Sequence, residues 1–541
     1  MSATTLLNFF LTFLTVAVLV AYAARRLRMP YTIAMVLAGL GLTFLRLGPD
    51  EVPFELEPEL IFLIFLPGLL FEASYHINLA QLRQNLRPIL LLAIPGILLS
   101  TAVVGGLLFV GLEIDLTEAL LFGVLISATD PIAVVAQFKE LGVEKRLGTI
   151  VEGESLFNDG VAIVLFSLLS TLVVGFGEVT VQGAVVDFFV TIAGGAVLGL
   201  VVGFLFGELM GRTRDPLINI ALTAILAYGL YFFVEETLHE LVSPVVAVVV
   251  AGIVVGNYST RGHTSPTSSH MIVTFWEFAA FLINSAVFLL IGLRVEITAL
   301  VDNLEPLLLT ILAVVIARAV VVYSLRWLIN RRPPQISLAW AHVMIWGGMR
   351  GAVTIALVLS LPFAVSNRNL FITMAFGYVI FSVVGQGLTL APLLGWLGLT
   401  RKTEQELAFE TKIAELALGE AAADAVETLR DENILTIGVA AGVTARIENW
   451  LSEQEGELRD MLQEEPGLAL ANREMMLREI TFVQKRTLRR LLERGIISDR
   501  TYTAFDERLD ERLQGGMDEE GLFGEAGVDG VGDLVDEEIE D

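Results

Sequence analysis

The sequence contains no cysteine among its 541 residues and only five histidines. The missing cysteines exclude disulfide bonds, thiolate catalysis and cysteine-based metal sites. The histidines are scattered without the spacing of a metal-binding motif, so we expect none of them to bind a metal, and we expect no cofactor. Because the chain also lacks a nucleophile elbow and a phosphate-binding loop, we do not expect an enzyme.

Basic residues are scarce toward the C-terminal end of the chain. Residues 401–541 hold 35 acidic and 16 basic side chains, which contribute −19 to the total charge of −26, and residues 514–541 hold 11 acids and no base. Such acidity argues against a nucleic-acid partner and against docking on an anionic lipid surface. We predict a cytoplasmic helical domain over 401–513, with amphipathic helices at 404–430 and 472–513, and a disordered acidic tail over 514–541.

Long apolar runs are abundant in the first 400 residues. The chain is 55% hydrophobic with a mean hydropathy of +0.70, and runs of about twenty apolar residues, long enough to cross a bilayer, alternate with short charged loops. We predict an all-α polytopic membrane domain over 1–400 with about thirteen transmembrane helices. The predicted crossings are 5–24, 31–48, 59–76, 88–111, 118–138, 147–175, 181–211, 216–235, 241–256, 271–293, 304–329, 336–361 and 369–396.

The basic residues of the short loops fall mainly on one side of this predicted domain. Most of them lie in the odd-numbered connections, whereas several even-numbered connections are acidic. By the positive-inside rule the odd connections are cytoplasmic, so we predict a multi-pass protein of the cell membrane with its N-terminus outside and its tail inside. The basic residues of the odd connections are Arg25, Arg26, Arg28, Arg83, Arg87, Lys139, Lys145, Arg146, Arg212, Arg214, Arg261, Arg326, Arg331 and Arg332.

Crossings 5 and 12 are interrupted by residues that break helices. Asp130 and Pro131 stand inside crossing 5, and Gly-Gly-Met-Arg-Gly stands at 347–351 in crossing 12. Because Pro131 has no N–H and its ring clashes with the preceding turn, carbonyls near Thr129 lose their helical partners. If two six-helix units form an inverted repeat, the two breaks are counterparts at mid-membrane. Close helix packing is the other interpretation of the glycines.

The most polar stretch inside an apolar crossing is Gly-Glu-Ser-Leu-Phe-Asn-Asp-Gly at 153–160. Carboxylates are expensive in hydrocarbon, so Glu154 and Asp159 are functional candidates. Positions four apart share a helix face, so Ser155 points with Asp159, whereas Glu154 points with Asn158, about 100° away around the axis. We expect one face to bind a cation and the other to hold the structure together.

A hard monovalent cation prefers oxygen ligands. Asp159 offers a carboxylate, Ser155 offers a hydroxyl, and the broken helix offers a carbonyl near Thr129. Asp130 adds a second carboxylate, which can also cap the half-helix that follows it. Removal from water favours a protonated carboxyl group and a bound cation favours the ionised form, so H⁺ and the cation would compete at Asp159. Glu72, at the cytoplasmic end of crossing 3, either reaches the ion through water or lies at the interface.

Two arginines lie inside apolar crossings. Arg318 cannot discard its proton and needs a carboxylate if it is buried, and Glu154 is a suitable partner. Arg350 is the competing partner for Glu154. We favour Arg318, because its flanks are wholly apolar whereas Arg350 can be solvated by the glycine-rich break.

Taken together, five motifs resemble those of the monovalent cation:proton antiporter family, which joins bacterial sodium/proton antiporters to the animal sodium–hydrogen exchangers. The resemblance covers the first 400 residues in order, and its most specific motif is Gly-Glu-Ser-Leu-Phe-Asn-Asp at 153–159. The other motifs are Phe-Leu-Pro-Gly-Leu-Leu-Phe-Glu at 65–72, Ala-Thr-Asp-Pro at 128–131, Ala-Arg at 317–318 and Trp-Gly-Gly-Met-Arg-Gly-Ala-Val at 346–353.

This resemblance implies a homodimer of thirteen-helix protomers, each with a dimerisation part and a core part whose unwound crossings 5 and 12 flank the ion. Asn158 before Asp159, in place of the Asp-Asp pair of electrogenic relatives, implies electroneutral, one-for-one exchange by an elevator-like movement. Glu154, Asn158 and Arg318 would hold the core together. The residues that the resemblance assigns to Na⁺ and H⁺ are Asp159, Ser155, Asp130, Thr129 through its carbonyl, and Glu72 through water.

The sequence thus favours a secondary transporter that exchanges Na⁺ or Li⁺ for H⁺. Potassium/proton exchange stays open, because size selectivity depends on cavity dimensions. A cation channel with a soluble gate is the alternative from a different class. The lack of a selectivity-filter loop and the breaks at mid-membrane favour alternating access over a channel.

Overall fold

The computed structural model of the chain describes residues 3–27, 29–44, 58–174, 181–213, 215–238, 241–258, 266–332, 335–400, 404–431 and 436–464, with short stretches between 476 and 509. The chain divides into two compact units, Met1–Arg401 and Lys402–Asp541. In the described residues all regular structure is helical.

The described residues of the first unit form sixteen helices. Helices α3, α9 and α16 each contain one π-helical turn, at Ile61–Phe65, Ile225–Gly229 and Phe381–Gln386. The bounds are α1 Ala3–Leu27, α2 Tyr31–Phe44, α3 Pro58–His76, α4 Leu79–Leu112, α5 Leu116–Leu125, α6 Ile132–Leu141, α7 Lys145–Val174, α8 Val181–Arg212, α9 Pro216–Thr237, α10 Pro244–Tyr258, α11 Pro266–Leu293, α12 Ile297–Asp302, α13 Leu304–Ile329, α14 Leu338–Trp346, α15 Ala352–Leu359 and α16 Arg368–Trp396.

The membrane-spanning character of the first unit is confirmed. Among the described residues, eight helices are long and apolar enough to cross a membrane, namely α3, α4, α7, α8, α9, α11, α13 and α16. Helices α2, α5 and α10 are also apolar but shorter. Each predicted crossing coincides with a helix or with a broken pair of helices. The all-α polytopic fold is therefore correct, while the count of thirteen crossings stays a prediction.

Both predicted interruptions are present. Crossing 5 consists of α5 and α6 with a non-helical segment at 126–131, and crossing 12 consists of α14 and α15 with a non-helical segment at 347–351. The two segments lie against each other, because the backbone N–H of Asp130 donates to the carbonyl of Met349 at 2.8 Å. Four helix ends therefore meet at one place inside the first unit.

Small residues let helices α2 and α11 pack unusually closely. A Cβ atom on Gly39 would lie 2.8 Å from the Cα atom of Gly292, so neither position has room for a side chain without a shift. The hydroxyl of Thr43 adds a hydrogen bond to the carbonyl of Leu293 at 3.0 Å. Close approach through small residues is the usual source of helix association in a membrane. Helices α2 and α11 thus form a tight pair, which supplies one wall of the cavity described below.

The second unit contains a helical hairpin. Helix α17 (Glu404–Asp431) matches the predicted helix at 404–430, and α18 (Ile437–Glu464) follows it. The Lys412 ammonium joins the two helices through Gln454 Oε1 at 2.5 Å and Glu457 Oε2 at 2.7 Å. The predicted helix at 472–513 is described only in short stretches, and the predicted disordered tail at 514–541 lies outside the described residues.

Candidate ion-binding site

The polar stretch of α7 divides its side chains between two faces. Ser155 and Asp159 line a cavity of about 410 Å³. Glu154 and Asn158 line a separate void of about 10 Å³ on the other side of the helix. A single helix therefore carries an accessible polar face and an enclosed polar face, as the spacing of these residues predicts.

Asp159 lines the larger of these two cavities. Its Oδ1 atom is buried and has no hydrogen-bond partner in the described part of the chain. A buried oxygen without a partner gives up the hydrogen bonds that water would supply, which typically costs about 1–3 kcal/mol. The Asp159 carboxylate is consequently placed to bind a proton or a cation that enters the cavity.

Asp130 holds the ends of two half-helices. Its Oδ1 atom accepts a hydrogen bond from the backbone N–H of Ile132 at 3.0 Å, at the start of α6. Its carboxylate also accepts from the backbone N–H of Ala352, at the start of α15. A carboxylate is favourable at a helix N-terminus because the terminal N–H groups carry partial positive charge. Asp130 thus caps both broken crossings, and it also lines the cavity beside Asp159.

Thr129 connects the unwound segment of crossing 5 to both polar faces of α7. The Ser155 hydroxyl donates to the Thr129 carbonyl. The Asn158 side-chain amide donates to the Thr129 hydroxyl at 2.7 Å, and the Thr129 N–H donates to Asn158 Oδ1 at 3.4 Å. These bonds hold Thr129 and Ser155 in the wall of the cavity that Asp159 lines. Both of these Asn158 hydrogen bonds go to Thr129, so Asn158 fastens the unwound segment of crossing 5 to α7.

Of the two buried arginines, Arg318 is the partner of Glu154. Its Nη1 atom donates to Glu154 Oε1 and its Nη2 atom donates to Glu154 Oε2 at 3.1 Å, which gives a two-pronged ion pair between α13 and α7. The Nε–H of Arg318 donates to the carbonyl of Met344 on α14 at 3.0 Å. Loss of one partner from such a buried pair typically costs about 3–5 kcal/mol, because an uncompensated charge remains.

Arg350 bonds to main-chain carbonyls at both helix breaks. Its Nε–H donates to the carbonyl of Ile126 at 2.5 Å, and its Nη1 donates to the carbonyl of Gly348. Its guanidinium also lies 5.8 Å from the ring centroid of Tyr378. The side chain is 1% exposed, so backbone oxygens rather than bulk solvent satisfy this charge.

Glu72 lies in the wall of the same cavity as Asp159. Its Oε1 atom is 3.5 Å from Nδ1 of His76, one turn away on α3, and Nε2 of His76 is 4.0 Å from Glu277. The Glu277 side chain is 62% exposed. This group, together with the exposed Lys139, therefore marks the end of the cavity that opens to the surface.

Four residues of the cavity wall were not predicted from the sequence. Tyr31 of α2, Asn284 of α11, Thr354 of α15 and Glu152 of α7 all line the cavity. The signal available for Asn284 was a lone amide within an apolar run, and Glu152 stands only two residues before Glu154. Tyr31 and Thr354 carry no signal of this kind, because each lies at a helix start beside a proline or a glycine break.

The sequence is similar to one protein family and to several known proteins. Residues 13–396 match the family described as sodium/hydrogen exchanger, transmembrane. The chain is 39% identical over 492 residues to the Na(+)/H(+) antiporter ApNhaP of Aphanothece halophytica, covering 89% of this chain and 92% of that protein. It is 37% identical to the low-affinity Na(+)/H(+) antiporter NhaS1 of Synechocystis, covering 79% of this chain and 82% of that protein.

The fold is similar to that of a solved structure, the sodium proton antiporter MjNhaP1 from Methanocaldococcus jannaschii at pH 8. The TM-score is 0.60, and the match covers 73% of this chain and 98% of that chain. The two sequences are 20% identical over the match. This likeness shows a shared fold.

Proposed function

Because this chain belongs to the sodium/hydrogen exchanger family, we propose that it is a secondary antiporter that exchanges Na⁺ or Li⁺ for H⁺ across the cell membrane. The observation that carries the proposal is the unpartnered Oδ1 of Asp159 in the wall of a cavity. A carboxyl group removed from water favours its protonated form, whereas a bound cation favours the ionised form. Proton and cation therefore exclude each other at Asp159, and this competition couples the two ions.

The donor set around Asp159 suits a small hard cation. Asp159 and Asp130 supply carboxylate oxygens, Ser155 supplies a hydroxyl, and Thr129 supplies a carbonyl. Such oxygen ligands replace part of the hydration shell of a monovalent ion. We propose that these four residues form the Na⁺ site. We also propose that Glu72 contacts the ion through a water molecule.

One-for-one exchange follows from the number of carboxylates that can change partner. Asp130 is bonded to the backbone N–H groups of Ile132 and Ala352. Asn158 is neutral and is bonded to Thr129. Asp159 is then the one carboxylate of the proposed site that can alternate between a proton and Na⁺, so each cycle moves one charge in each direction.

The proposed orientation places the cavity mouth in the cytoplasm. Lys139 lines the open end of the cavity and belongs to an odd-numbered connection, which the positive-inside rule assigns to the cytoplasm. The N-terminus then lies outside and the acidic tail lies inside. We also propose the homodimer that the family resemblance implies, which native mass spectrometry would detect as twice the chain mass of 58.9 kDa.

Transport by purified protein in liposomes that contain a trapped pH dye tests this function. An imposed Na⁺ or Li⁺ gradient is expected to drive proton movement that an imposed membrane voltage does not alter. Asp159→Asn should abolish this movement, whereas Asp187→Asn, which changes an exposed acid on α8, should leave it intact. Exchange driven by K⁺ alone would establish the potassium alternative, and current without proton movement would establish a channel.

A further inference from the structure

Asn284 carries a side-chain oxygen that has no partner among the described residues, and it belongs to the wall of the cavity that holds the proposed ion site. The residue is 4% exposed, and its Oδ1 atom has no hydrogen-bond partner in the described part of the chain. The same residue lines the cavity that Asp159 and Asp130 line. A buried carbonyl oxygen without a partner requires an explanation, and a ligand in the cavity supplies one.

Tyr31 fixes the orientation of this amide. The side chains of Tyr31 and Asn284 are joined by a hydrogen bond. Because Oδ1 of Asn284 has no partner among the residues that the structure describes, its NH₂ group is the donor in this bond and the phenolic oxygen is the acceptor. The ring of Tyr31 is held in turn by Phe281, with 5.6 Å between the ring centroids. The amide is therefore anchored by its nitrogen, and its oxygen is buried in the same cavity wall with no partner in the described residues.

The two sides of the cavity come from different groups of helices. Asp159 lies on α7 and Asp130 lies at the break that crosses 347–351, whereas Asn284 and Tyr31 lie on the close-packed pair α11 and α2. A cation at the proposed site would lie between these two sides of the cavity. The Asn284 side chain on α11 therefore offers a neutral amide oxygen in the wall of the cavity that the carboxylates of Asp159 and Asp130 also line.

We propose that the side-chain oxygen of Asn284 contacts the transported cation, directly or through its hydration water, and helps to determine which cation is exchanged. Tyr31 acts as the positioning residue for this amide. The proposal rests on the exchange function proposed above and extends its ion site to a second wall. Neutral carbonyl oxygens bind alkali cations by replacing hydration water, and their number and field strength set selectivity.

The test compares Asn284→Ala with the wild-type protein in two assays. In liposomes, the half-saturating Na⁺ concentration is expected to rise about ten-fold, the scale of one lost contact to a charged group. The ratio of the half-saturating Na⁺ and Li⁺ concentrations should change as well, because the two ions differ in size. In detergent, the rise in Tm that Na⁺ produces in the wild-type protein should require correspondingly more Na⁺.

The chain offers a matched control for this variant. Ser285 is the next residue on α11, it is fully buried, and its hydroxyl also has no hydrogen-bond partner in the described residues. Its side chain is absent from the cavity wall. Ser285→Ala is therefore expected to leave the Na⁺ and Li⁺ dependence unchanged. Tyr31→Phe removes the acceptor that anchors the amide and should shift the Na⁺ dependence in the same direction as Asn284→Ala, by a smaller factor.

A near-isosteric variant covers the case in which Asn284→Ala does not fold. Asn284→Leu keeps the approximate size of the side chain and removes its oxygen, so it is expected to raise the Na⁺ concentration that stabilises the protein, as Asn284→Ala does. The inference is overturned if either variant folds and keeps wild-type Na⁺ and Li⁺ dependence. Absence of Na⁺-driven proton movement in the wild-type protein would instead overturn the exchange function, which the Tm assay does not measure.

Discussion

The guanidinium of Arg350 donates a hydrogen bond to the main-chain carbonyl of Ile126, a residue 224 positions earlier in the chain. Ile126 lies at the break of crossing 5, and Arg350 lies at the break of crossing 12. The same guanidinium donates to the carbonyl of Gly348 within its own break. One buried side chain therefore satisfies carbonyls that two interrupted helices release, and this makes the paired breaks possible inside an apolar environment.

Arg350→Ala should destabilise the protein strongly. The carbonyls of Ile126 and Gly348 would lose their donor, and each buried unsatisfied group typically costs about 1–3 kcal/mol. Arg350→Lys should recover only part of this loss, because an ammonium lacks the planar fork that reaches two acceptors at once. The effect is measured as the melting temperature of the detergent-purified protein, with size-exclusion chromatography as the readout of the fraction that stays folded after heating. Arg331→Ala, which removes an exposed arginine stacked 3.8 Å from the ring centroid of Trp327, serves as the control and should change stability little.

The Glu154–Arg318 pair should show strong coupling in a double-mutant cycle. Glu154→Ala and Arg318→Ala are each expected to destabilise the protein by about 3–5 kcal/mol, because each leaves a buried charge without its partner. The double variant should lose much less than the sum of the two. The measurement is the free energy of unfolding in mixed detergent micelles.

An exposed pair on α8 provides the control for that cycle. Arg212 and Glu208 are separated by 3.0 Å, and their side chains are 74% and 44% exposed. Such pairs couple by only about 0.2–1 kcal/mol. Additive effects of Glu154→Ala and Arg318→Ala would contradict the role given to the buried pair.

Gly351→Ala should impair transport through Asp130. A Cβ atom at this position would collide with the Asp130 carboxylate, so the carboxylate that caps α6 and α15 would have to move. We expect the exchange rate to fall on the order of 100-fold, the scale associated with displacement of a reacting group by about 1 Å. Na⁺-driven proton movement in liposomes measures it. Gly148→Ala on α7 is the control, because a Cβ atom there meets nothing within 4 Å, and a wild-type rate for Gly351→Ala would refute the prediction.

Lys412 should stabilise the α17–α18 hairpin at neutral pH. Its hydrogen bond to Glu457 raises the pKa of the Lys412 ammonium above its ordinary value. Because the pKa is raised in the folded state, the stabilisation is complete below the ordinary lysine value of about 10.5 and is lost as the pH rises through the folded-state pKa. Lys412→Met should therefore speed hydrogen exchange of residues 404–464 in the full chain to a similar extent at pH 7 and pH 9.

Thr428→Ala is the control for the hairpin prediction. The exposed Thr428 hydroxyl donates to the carbonyl of Asp424 at 3.0 Å within α17, and this bond does not involve α18. Its loss should leave hydrogen exchange of α18 unchanged. Equal exchange of α18 in wild-type protein and Lys412→Met would show that Lys412 does not hold the two helices together.

Local features of the molecule follow directly from residue pattern. Apolar runs predicted the helices because a backbone in hydrocarbon must satisfy its own hydrogen bonds. Pro131 and the glycines at 347–351 predicted the two breaks, since these residues cannot continue a helix or do so poorly. The four-residue spacing of Ser155 and Asp159, and of Glu154 and Asn158, predicted two separate polar faces on α7, which line two separate cavities.

Contacts between distant residues required the folded chain. The preference for Arg318 over Arg350 as the partner of Glu154 rested on flanking residues alone, and the structure pairs Glu154 with Arg318. The expectation that Arg350 is solvated at its own break was incomplete, because its guanidinium also donates to the carbonyl of Ile126 at the other break. Nothing local to Arg350 indicates this acceptor, which belongs to another interrupted crossing.

The amino-acid sequence by itself determined where helices begin, where two of them break, and which side chains share a face of α7, because these properties depend on neighbours within a few residues. Only the tertiary structure decided that Asn284 and Tyr31 face the cavity of Asp159, and that both breaks share one arginine. Helical periodicity specifies the direction in which a side chain points relative to its own axis. The group it meets there depends on how helices far apart in the chain pack together, and small residues such as Gly39 and Gly292 set that packing.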